Sequence, residues 1–311
     1  MRTVILLVLS TALTWAADLP WNDAQLRQID TFAHAATHDD GMWRVRTTSY
    51  DVASEIDARF TAELACYVEL FTREASGLLR LRPLARPVRA QVIVYASRES
   101  YQAALGAPVM SRGQYDWTFP REGTPRLLVR TFVKGSDRAF ARFYRPILNH
   151  ECTHHLLQLR AGPRKIPDLV NEGLATFLQF WDPFRDREWN LTHRRSEFIS
   201  DLDRARRESR LPDLCQLANC DRWDVDGFGV QTQTRYACAE SFVGFCFAAA
   251  DRSTFLDHLV DASIAGDIRG VLDDQRGRET VAAWRTSIDG PHPAAPAPTI
   301  RLISTHAAHQ H

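Results

Sequence analysis

The chain has 311 residues, of which 45% are hydrophobic, so it can bury the core of one large domain or of two closely packed ones. Its 38 Lys and Arg residues balance its 38 Asp and Glu residues, which argues against the strongly basic surface of a nucleic-acid-binding protein. The function must therefore be sought in a local site.

The N-terminal residues are typical of an export signal. Arg2 is followed by an apolar run from Val4 to Leu13 and by the small residues Thr14 and Ala16. We expect cleavage after Ala16 and a secreted or periplasmic protein; the alternative is an uncleaved signal that tethers the chain. The run is too short for a stable membrane span, and no later segment is apolar for long enough to cross a membrane.

Hydrophobic periodicity and capping residues divide the rest of the chain into a mixed part followed by a helical part. The elements predicted for the mixed part are a weak helix at Asn22 to His38, a strand at Trp43 to Thr47, a long amphipathic helix at Val52 to Leu79, a strand at Arg89 to Ala96, a short helix at Ser100 to Leu105, a loop at Ser111 to Thr124 and a strand at Arg126 to Phe132. The helices predicted for the second part run from Ser136 or Asp137 to Gly162, from Pro167 to Phe180, from Arg194 to Arg210, from Thr234 to Ala250, from Ser253 to Ala265 and from Arg278 to Ile288.

This pattern predicts an α+β fold. The expected divisions are a signal peptide at 1–16, an N-terminal α/β subdomain at 17–135, a zinc-site and C-terminal helical subdomain at 136–289, and a Pro/Ala/His-rich tail at 290–311.

Export would place the six cysteines in a compartment where disulfides persist. Cys215 and Cys220 bracket a short polar loop and are the predicted pair. Cys238 and Cys246 lie on one predicted helix, about 12 Å apart at the helical rise per residue, so they cannot bond to each other. The alternative is that all six cysteines are buried free thiols.

His150, Glu151 and His154 form the pattern His-Glu-x-x-His on a predicted helix. The two histidines are separated by about 400° around the helix axis, so both project to one side, and Glu151 lies about 60° from His154. Such a pair can hold one zinc ion, with the glutamate as general base.

The same helix carries an apolar stripe that lies about 200° from the histidines. Its residues are Leu148, Cys152, Leu156 and Leu159. This phasing predicts that the stripe faces the core and that the histidines face outward or into a cleft. Cys152 is therefore interpreted as a small buried hydrophobic residue rather than a thiolate ligand.

A catalytic zinc ion usually takes three protein ligands and leaves the fourth position to water. Glu172 lies on the next predicted helix, off the apolar stripe that contains Val170, Leu174 and Phe177. It is the predicted third ligand. Gly173, which follows it, would let the two site helices approach closely.

These motifs together resemble a known family. His150-Glu151-x-x-His154, the turn at Gly162-Pro163 and Asn171-Glu172-Gly173-Leu174-Ala175 after Pro167 are similar to the pattern of the gluzincin clan of zinc metallopeptidases. Within that clan, the chain resembles the peptidase-MA-like family of exported bacterial proteins from about Trp43 to Ile288.

The resemblance implies a thermolysin-like zincin fold: a small N-terminal mixed sheet with helices, the helix with the zinc motif, and a helical C-terminal part. It implies a peptide or protein substrate and gives Tyr236 a role in stabilising the oxyanion; otherwise Tyr236 is an ordinary half-buried tyrosine at the start of a helix. It also implies that the strand Leu127 to Phe132 is the cleft edge that pairs with substrate, unless it is a plain sheet strand.

The sequence departs from the family pattern at two positions. Leu169 occupies a position where the family usually has tryptophan, and Thr176 occupies one where some gluzincins have an acidic residue that orients a ligand. Among the other histidines, His34 and His38 are assigned to a solvated helix end, and His155 to a structural or supporting role.

The implied reaction is zinc-assisted hydrolysis of a peptide bond, in which zinc lowers the pKa of its bound water and Glu151 takes the proton. One alternative is a catalytically inactive binding protein that retains the fold. Another is a His-Glu-x-x-His pattern with only a structural role. The sequence leaves the substrate preference and the oligomeric state open.

Overall fold

The computed structural model describes residues 19–81, 88–106, 111–122, 124–134, 138–218, 223 and 229–289. The predicted signal peptide, the C-terminal tail and Cys220 lie outside the described residues. The same holds for the expected subdomain boundary after residue 135 and for the predicted helix caps Ser136 and Asp137.

The strands of the described residues form one six-stranded mixed sheet in the N-terminal part of the chain. In chain order they are β1 Thr37–Asp39, β2 Met42–Arg46, β3 Tyr50–Ser54, β4 Ala90–Tyr95, β5 Gly113–Thr118 and β6 Arg126–Phe132. The spatial order is β1-β2-β3-β4-β6-β5. The strands β3, β4 and β6 are parallel neighbours, whereas β1, β2 and β5 pair antiparallel, which leaves β1 and β5 at the two edges.

Twelve α-helices are present in the described ranges. They are α1 Asp23–Ala35, α2 Ala58–Leu78, α3 Arg98–Leu105, α4 Arg145–Ala161, α5 Asp168–Leu178, α6 Arg187–Thr192, α7 Ile199–Arg207, α8 Leu214–Ala218, α9 Val230–Phe247, α10 Ala250–Ala265, α11 Ile268–Asp273 and α12 Gln275–Asp289. The predicted α+β class is therefore confirmed. None of the described helices is long and apolar enough to cross a bilayer.

The sheet and the later helices share one hydrophobic core. Fully buried members of a single cluster are Val92 of β4, Leu64 of α2, Leu148 of α4, Leu174 of α5 and Phe242 of α9. Burying one such side chain contributes about 1.5–3 kcal/mol relative to leaving it exposed. Helix α4 lies at the centre of this arrangement, between β5 and β6 on one side and α2 and α5 on others.

The helix predicted from Val52 onward was wrong at its start. Residues Tyr50–Ser54 form strand β3, and α2 begins only after Asp57, whose side chain accepts a hydrogen bond of 2.7 Å from the Phe60 amide. A parallel strand inside a sheet is buried on both faces, so it lacks the alternation that identifies a strand in sequence. Its apolar residues fitted the helical period of α2 by coincidence.

Two further boundaries differ from the sequence prediction. The predicted loop at 111–124 contains strand β5, in which Tyr115 alternates with the polar residues Gln114 and Asp116. Helix α4 begins at Arg145 rather than near residue 136, since Pro146 occupies its first turn and a short 3-10 turn at Phe140–Arg142 precedes it.

The C-terminal helices of the described residues are more numerous than predicted, and α9, α10 and α12 are longer than predicted. The predicted helix from Arg194 is shorter and begins at Ile199, and α6, α8 and α11 were not predicted because each has only five or six residues, too few for a periodic pattern. Cys238 and Cys246 are both buried free thiols on α9. Cys66 on α2 and Cys152 on α4 are also buried free thiols. The predicted bond from Cys215 involves Cys220 and stays a prediction.

Candidate metal centre

Helix α4 carries the His-Glu-x-x-His motif through the middle of the molecule. Three residues of its predicted apolar stripe, Leu148, Cys152 and Leu156, are buried in the core, and the fourth, Leu159, is half-buried against it. The opposite side is not open to solvent: His154 is only 7% exposed and His150 is half-buried. The outward-facing alternative is therefore wrong, and both histidines face into the molecule, towards Glu172 on α5.

Helices α4 and α5 bring together the three predicted metal ligands. Glu172 Oε2 on α5 lies 3.4 Å from His150 Nε2 and 3.5 Å from His154 Nε2. All three ligand atoms lie within 4.8 Å of one another. Ligands at 2.0–2.1 Å in a tetrahedron lie about 3.3 Å apart, so the two distances to Glu172 are close to the spacing of ligands around one metal ion.

The electrostatics of Glu172 also fit a cation. Burial raises the pKa of this carboxyl, but the charges of His154 and His150, with polar contacts from His150 and Tyr236, outweigh burial and lower the pKa to about 2. Its Oε2 atom is buried and faces the two imidazole nitrogens at distances longer than a good hydrogen bond. A buried carboxylate oxygen that is only weakly hydrogen-bonded is costly, and a metal ion held by the two imidazoles would satisfy it.

Asn171, which the sequence analysis did not assign to the site, orients one of the ligands. Its side-chain Oδ1 lies 3.0 Å from His154 Nδ1. When Asn171 Oδ1 accepts a hydrogen bond from Nδ1, the proton of the neutral ring is held at Nδ1 and Nε2 is left able to bind a metal ion. The only signal in sequence is its place next to Glu172, and sequence alone could not show that it faces α4.

Glu151, the predicted general base, packs against the edge strand β5. A Cβ atom built on Gly113 would lie 2.9 Å from Glu151 Oε1 and 2.5 Å from Ile147 Cγ2. Only glycine therefore fits at this point. The pKa of Glu151 is raised to about 7, mainly by burial. The charge of His154 acts to lower this pKa, and the charges of Glu172 and Asp116 act to raise it.

Tyr236, the predicted oxyanion residue, lies beside the site but not at a helix start. It lies in the second turn of α9, and its hydroxyl contacts the Glu172 carboxyl. Burial, followed by the charge of Glu172, raises its pKa well above the usual range, so it stays a neutral donor. Its ring stacks on Phe198 with centroids 5.5 Å apart and meets the Trp223 ring edge-on at 5.7 Å.

Gly173 serves a different contact from the predicted one. A Cβ atom at this position would lie 3.1 Å from the carbonyl oxygen of Ala239 and 3.1 Å from Val243 Cγ2, both on α9. The glycine therefore allows α5 to approach α9, which carries Tyr236, rather than α4. Leu169 and Thr176 are the two positions that depart from the family pattern. Leu169 is fully buried, and the Thr176 hydroxyl is buried without a hydrogen-bond partner among the described residues. An acidic side chain that orients a ligand is therefore absent at both positions.

The predicted cleft-edge strand was wrong. Residues 127–132 belong to β6, which is flanked by β4 and β5, so the backbone of β6 cannot accept another strand. The edge next to the motif is β5. From this strand Tyr115 stacks on His154, with ring centroids 6.3 Å apart and planes 22° apart.

The remaining histidines have local roles. His155 is buried between the rings of Tyr50 and Tyr115, and burial lowers its pKa to about 3, which keeps it neutral and structural. His34 lies near the end of α1, with Nδ1 2.7 Å from the Asp30 carbonyl. His38 lies on β1 against the Trp43 ring rather than on the predicted helix end.

No known protein family model matches the chain, and no curated protein sequence matches it. Membership of the gluzincin clan accordingly stays a prediction, and the site is interpreted from its own geometry.

Proposed function

We propose that this chain is an exported zinc metallopeptidase of the gluzincin type, with a thermolysin-like zincin fold. The observation that carries the proposal is the convergence of His150 Nε2, His154 Nε2 and Glu172 Oε2 beside a second buried glutamate, Glu151. Two imidazoles and one carboxylate are a donor set that suits zinc, and hydrolysis needs no redox change.

When bound, zinc would act as a Lewis acid on the substrate carbonyl and would lower the pKa of a water molecule. The other steps fall to side chains of the chain itself. Glu151 is the base that takes a proton from the attacking water and passes it to the leaving amine. The neutral Tyr236 hydroxyl, which contacts Glu172, would redirect its single proton to the carbonyl oxygen as negative charge develops there.

The exposed edge of strand β5 favours a peptide as the substrate. Its outer backbone groups have no neighbouring strand among the described residues, and Gly113 lies directly against Glu151. An extended peptide could add to this edge by main-chain hydrogen bonds, with side-chain pockets supplying selectivity. The exported location is inferred from the N-terminal sequence alone.

A binding protein that retains the fold without turnover is the second candidate, and one observation favours it. Cavities of about 640, 350 and 330 Å³ lie in the described part of the molecule, but none of them is lined by His150, His154 or Glu172.

The deciding experiment measures zinc content and cleavage of a mixed peptide library by the purified protein. We expect about one zinc per chain in the wild type and in Glu151→Gln, with cleavage lost only in the variant. The exposed Glu188→Gln on α6 is the matched control and should cleave normally. A zinc-loaded wild type that cleaves nothing would establish the binding protein. If the purified protein contains no zinc and a chelator does not change its melting temperature, the His-Glu-x-x-His motif has a purely structural role.

A further inference from the structure

The cavity of about 640 Å³ lies at one end of the sheet, where the parallel strands β4 and β6 finish and the edge strand β5 begins. Residues that follow β4 form one wall, and residues that follow β6 form another. Arg112, which directly precedes β5, and Ile147 of α4 complete the side that faces the candidate site.

The lining of this cavity is strongly positive. Its described lining residues include four cationic side chains, Arg98, Arg112, Lys134 and Arg138, against one carboxylate, Glu99. The Glu197 carboxylate lies behind the lining, where it accepts a hydrogen bond from Tyr144. Arg138 also donates to the Ala96 carbonyl, which engages only part of its five-donor guanidinium group. Because the chain as a whole carries as many acidic as basic residues, this local excess is not a consequence of overall composition.

Ile147 connects the cavity with the surroundings of Glu151. It lines the cavity, and a Cβ atom built on Gly113 would meet both its Cγ2 atom and the Glu151 carboxylate, so both side chains lie against the same face of Gly113. Arg112, which directly precedes Gly113, also lines the cavity. A substrate that lies on β5 beside Gly113 would therefore reach the cavity close to Glu151.

Strand direction determines which part of the substrate reaches the cavity. A peptide paired antiparallel to β5 would run from the Thr118 end of the strand towards its Gly113 end. Residues on the C-terminal side of the cleaved bond would then approach Arg112. Negative charge on this part of the peptide would be attracted by the lining, and positive charge would be repelled.

We propose that this cavity is a substrate subsite that binds a carboxylate group, supplied either by an acidic side chain or by the C-terminus of the peptide. The inference rests on the proposed peptidase function and assigns its selectivity to Arg112 and Lys134, with Arg98 and Arg138 contributing to the field. Arginine suits this task because its planar donor fork matches a carboxylate.

Two pairs of peptides separate the two sources of the carboxylate. One pair differs only by Glu or Gln on the C-terminal side of the cleaved bond, and the other only by a free or amidated C-terminus. The kcat/KM values are compared for wild type, the double variant Arg112→Gln/Lys134→Gln, and Arg44→Gln, which removes an exposed arginine from β2.

We expect wild type and Arg44→Gln to prefer the carboxylate member of at least one pair by about tenfold, and the double variant to lose that preference. The preference should fall with increasing salt concentration. Equal kcat/KM values within both pairs, or a preference that survives in the double variant, would overturn the subsite.

Binding of the same peptides, fluorescently labelled, to Glu151→Gln tests the subsite independently of hydrolysis. If wild type cleaves no peptide, the proposed peptidase function fails, and the cavity is then judged by anisotropy alone. Tighter binding of the carboxylate peptides, lost in the triple variant that adds Arg112→Gln and Lys134→Gln, would support the subsite. Equal affinities within both pairs would refute it.

Discussion

Replacing Asn171 by leucine should weaken zinc binding without unfolding the protein. The amide oxygen of Asn171 lies 3.0 Å from His154 Nδ1, and leucine has similar size but no acceptor. His154 would lose the partner that fixes its ring orientation and keeps its Nε2 atom deprotonated. Because His154 is only 7% exposed, water cannot readily replace the lost acceptor.

The size of the effect follows from this single contact. Loss of a hydrogen-bond partner behind a ligating histidine typically costs about 10- to 100-fold in metal affinity. At 1.36 kcal/mol for each factor of ten, this corresponds to about 1.4–2.7 kcal/mol. Because His154 is so little exposed, we expect a loss of zinc affinity near the upper end of this range, about 100-fold. Asn171→Asp keeps an acceptor oxygen in the same place and should bind zinc within about threefold of wild type.

Zinc affinity is measured by competition with a chromophoric chelator, and urea denaturation of each variant confirms that the fold is intact. A leucine variant that binds zinc as tightly as wild type, with an unchanged urea midpoint, would refute the orienting role of Asn171. Equal losses in the leucine and aspartate variants would also contradict it, since the aspartate retains the acceptor.

Three other predictions follow from the site. Removing zinc with a chelator should lower the free energy of unfolding by about 2.7 kcal/mol where zinc had been at a hundredfold excess over its Kd, and an unchanged melting temperature would argue against a metal. Gly113→Ala should destabilise the protein by about 1–3 kcal/mol, because its Cβ would overlap Ile147 and Glu151; wild-type stability in urea would show that β5 yields instead. Tyr236→Phe should retain zinc and lower kcat by about 10²-fold, and an unchanged kcat would remove Tyr236 from the reaction.

Helix periodicity in the sequence points to the convergence of His150, His154 and Glu172 that the structure shows. The stripe that contains Leu148 and Cys152 defines the core side of α4, and a helix then fixes where His150 and His154 must point. The same reasoning places Glu172 off the core side of α5. These are local properties, since 3.6 residues per turn relate near neighbours in sequence.

The edge strand and the contacts around it could not be derived in this way. That β5 lies at the sheet edge depends on its pairing with β6, and that Gly113 must be glycine depends on α4 arriving at the same place. The contact between Asn171 and His154 likewise joins two helices whose relative rotation is set by packing. The buried strand β3 was misassigned for a related reason. Its side chains pack against neighbours on both faces of the sheet, so its sequence does not alternate between apolar and polar residues.

In the proposed mechanism, metal binding would change the protonation state of Glu151. Glu151 and Glu172 are two buried carboxyls at one site, and the charge of Glu172 is one cause of the raised pKa of Glu151, after burial. With a pKa of about 7, Glu151 would be half protonated at neutral pH and a poor proton acceptor. Its pKa would fall when a cation is bound by Glu172 and the two histidines, because nearby positive charge favours the carboxylate form. The three ligands would thus make Glu151 competent as a base only when the metal that activates the substrate is in place.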